Sequence, residues 1–482
     1  MSEVTSLSAV ELSAAIHART LSCREVMTAY LEQIRRFNPA VNAIVSLRDE
    51  GELINEAERR DGQLTAGRSS GWMHGFPVAV KDLSPAKGIR CTFGSPLFAD
   101  FIPEDDAIHV ERMKKAGAII IGKTNTPEMG LGSHTYNPVF GRTRNPYDLT
   151  KSAGGSSGGA AAALAAHLVP TADGSDMMGS LRNPAAFNNV VGFRPTYGRV
   201  PSGPSPELFL QNLSVTGPMG RSVQDVVQLL AIQAGYDIRE PSSWSGMTIF
   251  PDLRQYDDKS GVRIGWLGDF GGYLPFESGV LDLNREALSV FEAMGCAVEN
   301  VGVDFDMGDL WKAWLILRHW LVAGKMQTLY ADPANRDQIK PELAWEIENG
   351  LSLTGADVYA ASLMRSSWYR SICRLFESYD YLILPAAQVF PFDVEIDWPS
   401  EVAGRKMDTY HRWMEVVVGP SMAGLPAVAM PAGFGANGLP TGFQIVGKPH
   451  ADISVLQLAH AYEKRTDWLT ASPALLRHMA GA

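Results

Sequence analysis

Basic runs are missing from this chain: lysine and arginine nowhere cluster, and the formal net charge is −11. A nucleic-acid backbone is bound through such clusters, so nucleic acid is excluded as a partner. Equally absent is any apolar run of the roughly 18 residues that a membrane span requires, which excludes a transmembrane role. The first residues, MSEVTSLSAVELSAAI, lack the basic start and continuous apolar stretch of a secretion signal. They read as a capped helix, and the cytoplasm is the expected location. Cysteine is scarce: Cys23, Cys91, Cys296 and Cys373 stand far apart, without the paired spacing of a zinc site or a redox dithiol, and read as buried reduced thiols. Among the ten histidines there is no H-E-x-x-H and no other ligand pair, so neither a metal nor a cofactor is expected.

What the chain has is ordinary globular composition, 45% apolar and 20% charged, over 482 residues. That length accommodates two or three average domains, or one large mixed α/β domain around a single sheet. Ser8 with Glu11 and Ser22 with Glu25 fit the S-x-x-E capping box, which predicts two N-terminal helices, the second stopping before Pro39. The apolar run PVAV from Pro77 predicts a strand ending at Lys81 and Asp82; a helix through HVERMKK and a strand AIIIGK follow. Further on, VRIGWLGDF, the stretch near LNREALSVFEAMG, and AVENVGVDF read as strand, helix, strand, and YLILPA and GFQIVG return to strand. The polar stretch from Glu240 to Gly261 is the best candidate for an excursion or boundary, and about 306 to 415 is mostly helical and rich in tryptophan.

Two motifs mislead. Gly117 to Thr124 satisfies the P-loop expression, but Ile119, Ile120 and Ile121 are strand formers whose N–H groups belong to a ladder rather than to a phosphate. Gly154-Gly155-Ser156-Ser157-Gly158 satisfies the G-x-S-x-G nucleophile elbow, which needs a strand directly before it. The preceding RNPYDLTKSA, with Pro146 and polar turn formers, predicts none.

Lys81, at the end of an apolar strand, has two readings. Its ammonium either snorkels to water or is desolvated, in which case the amine is neutral at neutral pH and available as a base. The glycine-serine loop Gly154 to Gly159 and the segment Asp176, Gly179, Ser180, Leu181, Arg182, Pro184, Ala185 tip the balance. With Lys81 they resemble the amidase signature family, amidohydrolases that use a Ser, cis-Ser, Lys triad. Gly75, Pro77, Lys81 and Asp82 match its G-x-P-x-x-x-K-D pattern, and GKTNTPEMG, Asn145-Pro146, GFRPTYGRVP, GLPAVAMPAGF and GLPTGFQIVG extend the likeness over nearly the whole chain. It is weakest from about 240 to 415.

The resemblance implies one large α/β domain over 1–482, a mixed parallel and antiparallel twisted sheet flanked by helices, with the catalytic loops in about 70–235. It implies Ser180 as nucleophile, Ser156 as relay after a cis Gly155–Ser156 bond, and Lys81 as base. Backbone N–H groups of Met177, Met178, Gly179 and Ser180 are expected to bind the oxyanion, with Ser157, Asp176 and Arg182 in support. Met178 departs from the pattern by standing where the family usually has glycine, and either strains a glycine-type φ or narrows the acyl pocket.

The expected activity is hydrolysis of a small-molecule amide through a serine acyl-enzyme, with a homodimer as the assembly considered. Trp311, Trp314, Trp320, Trp345, Trp368, Trp398 and Trp413 are read either as core or as the wall of an aromatic pocket, which points to anilides, aryl amides, carbamates or esters as substrates. The family also includes the glutaminase component of tRNA-dependent amidotransferases, their A subunit, which is the alternative reading. A binding protein on a degenerate scaffold is a third.

Overall fold

The computed structural model describes residues 3–210, 212–245, 253 and 260–478. Its centre is an eight-stranded mixed sheet. Across it run Ala297–Asn300, Arg263–Trp266, Tyr381–Pro385, Pro440–Gly447, Ala427–Phe434, Val191–Arg194, Val215–Gly220 and Ala172–Asp176. The first three strands run parallel to one another; every later pairing is antiparallel. A smaller sheet of Ile44–Val45, Ile119–Thr124 and Pro77–Lys81 adjoins the Ala172–Asp176 edge, where the Lys81 N–H donates to Asp173. Both faces of the large sheet are covered, so its inner strands are buried throughout and read as apolar runs rather than alternations.

The two capping boxes form as the sequence predicts. The second helix does not stop at Pro39 but runs Cys23–Val41 with the proline inside its last turn. The Asn42 N–H bonds Asn38 O, and the Asn38 carboxamide accepts the Ala43 and Ile44 N–H groups. One bond lost at Pro39 is thereby offset one turn from the end. The P-loop look-alike is the strand Ile119–Thr124, buried along its whole length and paired with Pro77–Lys81.

The stretch from Glu240 is no boundary in its described part: Trp244 donates to Tyr197 O and lies 3.8 Å under the Arg199 guanidinium, and the strand at Arg263 rejoins the same sheet. Its residues 246–252 and 254–259 lie outside the described set. Cys23, Cys91 and Cys296 are buried and Cys373 is half-buried, and none of the four is in a disulfide. No helix among the described residues is long and apolar enough to cross a membrane.

The helix-rich region packs Met307–Ala331 against Pro341–Leu351 and Gly355–Leu375. Trp311 and Trp314, one helical turn apart, face inward with Trp368 and Trp413 into one apolar cluster.

Candidate active site

Lys81 ends its strand inside the protein, fully buried, and does not snorkel. Its Nζ lies 2.7 Å from Ser156 Oγ, 2.9 Å from Ser157 Oγ and 3.0 Å from Ser175 Oγ. Burial pushes the amine down to about 7, against the pull of the Asp173 and Asp176 carboxylates. Ser175 is a neighbour that the motifs do not single out; it opens the SDMMGS segment, and the strand's alternation carries it to the same side of Ala172–Asp176 as Asp173.

Ser156 follows a cis Gly155–Ser156 peptide. Its carbonyl accepts the Thr126 hydroxyl at 3.1 Å, Ser133 donates to Gly155 O, and Thr135 donates to Gly154 O from both its hydroxyl and its N–H. A short strand, Asp148–Ser152, does precede this loop, contrary to the reading of RNPYDLTKSA as strandless. Asn145 makes the turn by accepting the Tyr147 N–H, which lets the chain fold back into a two-stranded ribbon with Arg144–Asn145. That ribbon lies apart from the central sheet, so the elbow geometry is still not built.

Ser180 sits on the loop between Ala172–Asp176 and the helix Arg182–Asn188. It is 8% exposed and Ser156 2%, so Ser180 is the more accessible to a ligand. Both line one cavity of about 780 Å³, within the range of small-molecule sites. Among the described residues the Ser180 hydroxyl makes no hydrogen bond to Ser156.

Asp176 and Arg182 shape this loop. The guanidinium holds both carboxylate oxygens at 2.9 Å, and the same carboxylate accepts the Gly179 N–H at 2.8 Å and the Leu181 N–H at 3.2 Å. Burial would raise the Asp176 pKa, but Arg182 and Arg194 hold it well below the carboxylate range. Arg182 spends its remaining donors on Val417 O, Gln444 Oε1 and Ser421 Oγ, leaving none for a substrate.

The geometry corrects the expected oxyanion set. The Gly179 N–H is already donated to Asp176, whereas those of Met177, Met178 and Ser180 meet no protein acceptor among the described residues. Gly179 is instead needed for its φ of +79° and because a Cβ would stand 2.6 Å from Val417 Cγ2. Met178 is not in the left-handed region and carries no glycine-type strain; its side chain lines the cavity.

The aromatic wall is also corrected. Of the seven tryptophans only Trp320 lines the cavity; Trp311, Trp314, Trp368 and Trp413 are core, and Trp345 packs edge-on against His319. The cavity's apolar lining comes largely from methionine and leucine, among them Met129, Met177, Met178, Met326, Leu321 and Leu343, with Arg318, Lys325 and His411 among its polar residues.

A family model described as Amidase matches residues 25–456. The chain belongs to the amidase signature family. It is 33% identical to the acylamidase of Rhodococcus erythropolis over 97% of both chains. It is also 32% identical to the A subunit of the glutamyl-tRNA(Gln) amidotransferase of Alcanivorax borkumensis, over 96% of this chain and 98% of that one. Among solved structures it resembles a bacterial aryl acylamidase of the same family, with a TM-score of 0.90 and 28% identity over 97% of this chain and 98% of that chain. As an amidase signature enzyme the protein is a hydrolase of carbon–nitrogen bonds in small amides.

Proposed function

We propose that this amidase hydrolyses apolar and aryl amides through an acyl-enzyme on Ser180, with Ser156 as relay and Lys81 as base. The observation that carries the reading is the buried Lys81 amine, held within 3.0 Å of the Ser156, Ser157 and Ser175 hydroxyls and pushed down to about 7 by burial, beneath a cavity that Ser156, Ser175 and Ser180 line. Three hydroxyls can satisfy the three N–H donors of the ammonium or the two donors and one lone pair of the neutral amine, so the site accommodates both forms. In the neutral form Ser157 and Ser175 accept the two donors and the lone pair takes the Ser156 O–H; in the ammonium all three hydroxyls accept.

In this reading Ser180 Oγ bonds to the carbonyl carbon, its proton passes to Ser156, and the Ser156 proton passes to Lys81. The oxyanion is held by the Met177, Met178 and Ser180 N–H groups. The proton then returns by the same path to the leaving nitrogen, the C–N bond breaks, and water cleaves the ester to release the acid. The missing Ser156–Ser180 hydrogen bond requires Ser180 to rotate toward Ser156 as the acyl group docks; such bonds commonly tighten only in the substrate complex.

The methionine and leucine walls support an apolar acyl or amine portion, and the acylamidase relatives support anilides in particular. The test is a panel ranked by kcat/KM: anilides and aryl amides, with carbamates and esters beside them, against acetamide, malonamide and glutamine. Preference for the small polar amides refutes the apolar reading while sparing the triad.

A second reading, the glutaminase component of a tRNA-dependent amidotransferase, is supported by the Alcanivorax relative. It requires glutamine turnover that rises when partner subunits are added, and anilide turnover by the isolated chain argues against it.

A further inference from the structure

Three elements meet behind Lys81. Asp173, buried on the strand Ala172–Asp176, accepts the Lys81 backbone N–H at 2.9 Å through Oδ1. Its Oδ2 lies 3.1 Å from Nε2 of His109, on the helix Ile108–Lys115, and accepts the Ser84 hydroxyl at 3.2 Å. The other His109 ring nitrogen, Nδ1, is buried without a partner among the described residues. A carboxylate oxygen can only accept, so Nε2 carries a proton and donates it to Asp173.

Two carboxylates act on the Lys81 amine, Asp173 and Asp176. The charge of Asp176 is met by Arg182 and Arg194 at contact distance. Among the described residues Asp173 has no lysine or arginine in contact; it faces His109 and, less directly, Lys123, which donates to Ser84 O. Asp173 is therefore the carboxylate whose effect on Lys81 depends on a hydrogen bond that can be removed.

We propose that His109 is a positioning residue for Lys81, acting through Asp173 to hold the end of the strand Pro77–Lys81 and to disperse the carboxylate charge that would otherwise favour the ammonium. This rests on the reading of Lys81 as the base. The imidazole borders the cavity that Ser156 and Ser180 line but makes no hydrogen bond to either serine among the described residues; its ring bond goes to Asp173.

The experiment is the pH dependence of kcat/KM for wild type, His109→Gln, His109→Leu and Asp173→Asn, with Lys81→Ala as control. Glutamine can place an amide N–H where Nε2 stands, so His109→Gln keeps the acid limb of wild type. His109→Leu concentrates charge on Asp173 and moves that limb upward by about half a pH unit or more, a shift that counts as a change in the charge near the base. Asp173→Asn removes the charge and moves it downward. An unmoved limb in His109→Leu, or a shift of the same sign in His109→Leu and Asp173→Asn, overturns the proposal. If Asp173→Asn does not fold, the contrast between His109→Gln and His109→Leu still decides. Substantial activity in Lys81→Ala refutes the base assignment itself, a separate failure.

Discussion

Lys81 Nζ and Ser156 Oγ stand 2.7 Å apart where neither side chain reaches bulk water. A charged amine there has lost its hydration, and two carboxylates nearby only partly compensate, so the neutral form is accessible near neutral pH. From this pair follows the pH behaviour of the enzyme. A folded-state pKa of about 7 means the amine is protonated below that value and free above it. kcat/KM is therefore expected to fall about tenfold per pH unit below the limb and to level off above it, and Lys81→Ala to lose several orders of magnitude. A pH-rate profile on a non-ionising anilide checks both.

Gly179→Ala tests the turn that presents Ser180. The substitution meets Val417 at 2.6 Å and forces alanine to a φ of +79°. Displacing the adjacent oxyanion donors is expected to cost roughly 100-fold or more in kcat. Adding Val417→Ala removes the 2.6 Å contact but leaves the residue 417 Cβ at 3.0 Å and the backbone strain, so steady-state kinetics of the double variant should show only partial recovery.

Met178→Gly is expected to open the cavity beside the oxyanion site. Because Met178 is buried and packs in the cluster that contains Trp413, its removal should cost at least about 2 kcal/mol, read from a denaturant melt. Bulkier acyl groups should gain in kcat/KM relative to acetyl, with Ser180 still required. An unchanged acyl profile would mean that the side chain sets no limit on the substrate.

Local chemistry is legible in the sequence where a motif carries its own physical reason. The Ser8 and Ser22 caps, the apolar strand into Lys81 and the β-branched Ile119 to Ile121 each have one comfortable conformation, and each adopts it. Pro39 and the Asp148–Ser152 strand depart from expectation because short-range penalties are offset by the Asn38 and Asn145 carboxamides, whose use depends on where the chain goes next. The tryptophans of 306–415 are equally suited to core or pocket by composition, and only the packing of three helices turns four of them inward. Ser175 and the His109–Asp173 contact join residues of different elements, with no spacing that betrays them.

The central claim is that Ser180 is the nucleophile and that Lys81, through Ser156, activates it. Treatment with a fluorophosphonate followed by peptide mapping tests it directly, with Ser180→Ala and Lys81→Ala treated alongside wild type. The account predicts a single adduct on Ser180 in wild type, none in folded Ser180→Ala, and labelling slowed by orders of magnitude in Lys81→Ala. An adduct on Ser156 instead, or labelling of Lys81→Ala at the wild-type rate, would contradict it.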